Sequence, residues 1–68
     1  MARLLDVVEL QVETGRWVQG TRGTVIEVVE DAVLVEIADE HGHTAEVVAL
    51  PHGAVRAVAS PDQGKLLV

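Results

Sequence analysis

RGTVIEVVEDAVLVEIADEHGH, residues 22–43, decides how this chain is read. Valine and isoleucine supply most of its apolar side chains, and β-branched residues fit a pleated sheet better than a helix. No window repeats apolar residues at the helical period of about 3.6. The spacing predicts a strand over 24–30, a tight connection at Asp31-Ala32, and a strand over 33–38. Strict alternation puts Thr24, Ile26 and Val28 on one face of the first strand, with Val25, Glu27 and Val29 on the other. In the second, Val33, Val35 and Ile37 oppose Leu34, Glu36 and Ala38. The core expected from this register is Ile26, Val28, Val33, Val35 and Ile37. Val25, Val29 and Leu34 then point outward beside Glu27 and Glu36.

Working outward, DEHG at 39–42 reads as a turn in which Gly42 supplies a positive φ. HTAEVVAL, 43–50, is a further strand, ended by Pro51, which has no N–H to give. LPHGAV fits a short 3-10 turn and VRAV, 55–58, a last strand. On the other side, DVVEL at 6–10 is the first strand, and QVETGRWVQGTRG is a long loop with glycines at 15, 20 and 23. The whole is an all-β domain, a small five-stranded barrel of SH3-like type over residues 1–58. Residues 59–68 read as a flexible C-terminal tail.

A chain of 68 residues makes one small domain, and with no cysteine it has no disulfide to reinforce a thin core. Asp6 and Glu9 interrupt the N-terminal apolar run too early for a signal peptide. No stretch approaches the roughly 18 apolar residues of a membrane span. A cytoplasmic protein that neither enters nor binds a membrane is expected.

Charge is segregated. The net charge is −6, yet all five basic residues (Arg3, Arg16, Arg22, Arg56 and Lys65) lie outside 23–55. That span holds Glu27, Glu30, Asp31, Glu36, Asp39, Glu40 and Glu46. Such a field repels phosphate backbones and draws in cationic surfaces, so nucleic acid is not the expected partner. The same charge also reads simply as a solvated face that keeps a valine-rich protein soluble.

LLDVVEL at 4–10, RGTVIEV at 22–28, VEIADEHG at 35–42 and VVALPHGAVRAV at 47–58 resemble, in order and spacing, a family of small bacterial domains of unknown function. Its members read LLDVVEL, a loop, GDRGTVVEV, VEFVDEDG and a closing TLP…LRPV. The resemblance covers residues 4–58 and implies an SH3-like barrel. The RGTV-type strand is also similar to those of nitrile hydratase β-subunits and their accessory proteins. Some family members resemble companions of toxins, of immunity or antitoxin type. The resemblance brings no catalytic residues. This chain departs from the pattern in lacking aromatic side chains on its middle strands, which argues against an aromatic ligand groove.

Candidate chemistry is sparse. His41 and His43 flank Gly42 with Asp39 nearby, but a third firm metal ligand is not visible, and two loop histidines are ordinarily surface residues. His52 has no partner close in sequence. Nucleophilic catalysis lacks parts, since Ser60 is the only serine and there is no cysteine or tyrosine. Neighbouring surface carboxylates have nothing to split their pKa values for acid–base work. The Gly20–Gly23 segment has no lysine and no following helix to hold phosphate. Trp17, the only aromatic residue, is either a binding anchor or a cover for one end of the core.

These residues predict a protein-binding module with no catalytic, metal or cofactor site. It takes a basic protein partner, and the family resemblance implies an immunity or antitoxin-like role as the most concrete form of that reading. Glu27, Glu30, Asp31, Glu36, Asp39, Glu40, Val25, Val29, Leu34 and Trp17 form the expected surface. The alternatives are a structural homo-oligomer, with a homodimer as its simplest form, or an accessory barrel of a larger enzyme. An RNA-associated barrel is a third possibility, which the scarcity of basic and aromatic residues speaks against.

Overall fold

The computed structural model describes residues 1–61. Five antiparallel strands form one sheet: β1 (Val7–Leu10), β2 (Arg22–Val29), β3 (Ala32–Ala38), β4 (Thr44–Leu50) and β5 (Val55–Ala59). A 3-10 turn, His52–Ala54, precedes β5, as the LPHGAV segment predicts. The strand order is β4-β3-β2-β1-β5, so β1 pairs with both β2 and β5. Strands β4 and β5 do not pair with each other, so among the described residues the sheet is not closed and has two open ends where the sequence suggested a barrel. Among the described residues no helix is long and apolar enough to cross a membrane. β5 extends through Ala59, and the rest of the expected tail, from 62 on, lies outside the described residues.

One face of the sheet carries the core. Val8, Leu10, Val25, Val33 and Val35 are fully buried, with Ile37, Val48, Leu50, Ala54 and Val55 around them. The sequence register holds for β3 and fails at the middle of β2. Val25 pairs with Val35, but Glu27 pairs with Leu34, which leaves Ile26 as the extra residue of a β-bulge. A bulge shifts the pleat by one position. Val25 therefore faces the core at 0% exposure, whereas Ile26 is 39% exposed. Their expected places are exchanged. Past the bulge Val28 stands opposite Val33 and Val29 opposite Ala32, but Val28 is 40% exposed and does not take its expected place in the core, because the β2–β3 end of the hairpin extends beyond it.

The connections are more ordered than their composition suggests. Within the β1–β2 loop, Thr14 and Trp17 exchange backbone hydrogen bonds of 2.9 and 2.8 Å across a two-residue turn, where Gly15 takes φ +56°. The loop base is tied by Gly20 N–H to the Leu10 carbonyl and Leu10 N–H to that of Thr21, each 2.8 Å. Gly42 takes φ +83° in the β3–β4 turn, as expected, and donates to the Asp39 carbonyl. Asp6 is buried, and one of its carboxylate oxygens accepts the Arg3 N–H at 2.9 Å, closing a turn that delivers β1 to the sheet.

Candidate protein-binding surface

The sheet face away from the core is divided by charge. On β1, Glu9 lies between Arg22 of β2 and Arg56 of β5, with guanidinium–carboxylate distances of 3.8 and 3.4 Å. From Gly23 of β2 through the end of β4 no lysine or arginine occurs. There Glu27 stands opposite Leu34, and Glu36 lies between Thr24 and Val47. Val29 and Val47 are exposed on this half, and Leu34 is half-buried. Alternation therefore placed Glu27, Val29, Leu34 and Glu36 on one face. Val25 drops out of the surface because the bulge turns it inward.

Four of the other carboxylates sit at the ends of this half-sheet, and Glu46 lies within β4 on the core side. Glu30 and Asp31 form the two-residue turn between β2 and β3, and Asp39 and Glu40 open the turn between β3 and β4. The seven residues of β3 hold these turns about 20 Å apart. The negative charge is thus a band along the hairpins rather than one cluster. Glu27, Glu30 and Asp31 make no ion pair among the described residues, whereas the arginines at 16, 22 and 56 are taken up by Glu46 and Glu9. Glu36 is half-engaged, accepting the Thr44 hydroxyl at 2.6 Å.

Asp39 serves its own turn. One carboxylate oxygen accepts the backbone N–H groups of His41 and His43, both at 2.9 Å. The two imidazoles stand 6.5 Å apart and tilted, and His41 approaches Glu40 at 3.6 Å. No three His, Asp or Glu side chains among the described residues are placed to hold one metal ion.

Trp17 belongs to the core side. It packs against the core cluster, and its indole N–H donates to Glu46 at 2.9 Å. Arg16 stacks over the indole, 4.5 Å from the ring centre, and reaches the same carboxylate at 3.7 Å. The cover reading of Trp17 describes this geometry; the ring is not on the face that carries Glu27 and Glu36.

Two residues that sequence reasoning passed over organise the surface. His52 Nε2 lies 2.9 Å from the Val29 carbonyl and 3.2 Å from that of Glu30. That nitrogen therefore carries the proton and donates, bracing the acidic β2–β3 turn, while Nδ1 is buried without a hydrogen-bond partner among the described residues. Glu46 is the second. Both contacts join segments more than 20 residues apart, so local pattern gives no signal for them. No protein-family model, curated protein or solved structure matches this chain.

Proposed function

We propose that the chain is a non-catalytic binding module of SH3-like type that captures a basic protein partner. The observation that carries this reading is the cation-free span 23–55, whose Glu27, Glu30 and Asp31 remain without an arginine partner beside half-exposed valines and a leucine. A band of one sign steers an oppositely charged surface and raises its association rate. Val29, Leu34 and Val47 then supply apolar contact, and the carboxylates pair with lysines or arginines. The SH3-like assignment is supported by five short antiparallel strands, the long β1–β2 loop, the 3-10 turn before β5, and a first strand flanked by the second and the last. A partner that itself binds phosphate, such as a nuclease toxin, has the matching charge. That makes an immunity or antitoxin-like role in the cytoplasm the concrete form of the proposal.

The test is affinity capture from a host lysate with the wild-type chain and with the double variant Glu27→Lys/Glu36→Lys. A lysine- and arginine-rich protein should be retained by the wild type, released at about 0.5 M salt where the Debye length falls to a few ångströms, and lost with the variant. Retention that ignores both salt and charge reversal would refute charge-led capture. A salt-resistant dimer in light scattering would favour the second reading, valine-to-valine self-association through exposed Val29 and Val47.

A further inference from the structure

The open edge of β4 is the most complete unused binding element in the fold. β4 is last in the strand order and, among the described residues, pairs only with β3. On its other side it makes no backbone hydrogen bond among the described residues. Backbone N–H and C=O groups require partners, and a strand edge presents a row of them to any extended chain. Edges are commonly blocked by lysine, by proline within the strand or by a covering segment. TAEVVAL has neither residue, and Pro51 comes only after its end. A register shift near Thr44–Glu46 disturbs the start of the strand, so the regular edge runs from Glu46 to Leu50.

The side chains along this edge select the occupant. The core face offers Glu46 and the buried Val48 and Leu50, and the outer face offers Val47 and Ala49, with Glu36 one strand further in. Glu46 is already engaged by Arg16 and by the Trp17 indole N–H, which leaves Glu36 as the carboxylate open to a basic side chain. A second copy of β4 is a poor match, because TAEVVAL brings a carboxylate and no lysine or arginine of its own to Glu36. At the opposite end of the sheet, β5 carries Arg56 and no carboxylate.

We propose that β4 accepts an added β-strand from the partner, an extended segment in which lysine or arginine alternates with small apolar residues. Its small apolar side chains extend the core face beside Val48 and Leu50, and its basic ones lie over Val47 and Ala49 on the outer face, within reach of Glu36. This inference rests on the reading of a basic partner and adds the docking site and the backbone conformation.

The experiment is an NMR titration of the full chain with a synthetic alternating Lys-Val peptide of about ten residues. A second peptide of the same sequence carries N-methyl groups on every second backbone nitrogen, which keeps the charge and removes the ladder donors. Support is a response concentrated at Glu46–Leu50, slowed exchange of those amides, and binding at least about tenfold weaker for the methylated peptide, the equivalent of one or two lost hydrogen bonds. Equal binding of both peptides, or a response confined to Glu27, Glu30 and Asp31, would overturn strand addition and leave charge-led capture standing. Failure of both peptides to bind would count against both ideas. Sedimentation showing that the chain pairs with itself through β4 at the same concentrations would also overturn the proposal.

Discussion

Gly23 shows how one missing side chain shapes the site. A Cβ added there would lie 2.5 Å from Cγ1 of Val35 and 2.7 Å from the Glu36 carbonyl oxygen. The first neighbour is a buried core side chain and the second is backbone, so neither yields cheaply. Gly23→Ala should therefore destabilise the fold by about 1–3 kcal/mol, read as a lower urea midpoint with an unchanged slope. The sequence marks Gly23 as a backbone requirement on entering β2, and the structure gives the reason as close approach to β3. Other single-residue roles were not legible. Trp17 and Glu46 meet across 29 positions, and His52 braces a turn 22 and 23 positions away. Such contacts follow from strand order, which no local spacing contains.

At the scale of elements, the strands themselves were readable because β-branched runs alternate with glycine, proline and acidic turns. The phase of β2 was not. Strict alternation puts Val25 with Glu27 and so turns it outward, but Val25 and Ile26 are both apolar and either can enter the core once a bulge breaks the alternation between them. The bulge settles it, and mutation separates the two cases cleanly. Val25→Asp buries an unpaired charge and should unfold the chain, at a cost of several kcal/mol. Ile26→Asp places its carboxylate at a site 39% open to solvent and should cost about 1 kcal/mol or less. Circular dichroism of the two variants decides between this register and strict alternation, which expects the reverse. The bulge also matters for binding, because it keeps Glu27 opposite Leu34 and so on the outer face with Glu36.

For the molecule as a whole, charge opposes the fold that displays it. The band of carboxylates on β2, β3, β4 and their turns repels itself, while the ion pairs at Glu9 and Glu46 are long and largely exposed, hence weak. Repulsion outweighs pairing, so salt should stabilise the isolated chain. Its Tm is expected to rise between about 10 mM and 0.5 M NaCl, the opposite of the salt response proposed for partner capture. A falling Tm would mean that the surface ion pairs matter more than the band. The charge imbalance was plain in the sequence, but its division into an outer-face pair and two turns held apart by β3 was not. The Trp17–Arg16–Glu46 contact has one practical consequence. The chain's sole indole is hydrogen-bonded to the strand whose edge stands open, which equips the protein with a native fluorophore. Its emission colour and quenching report on Glu46 without any attached dye, so occupancy of that edge is open to optical readout in the unmodified chain.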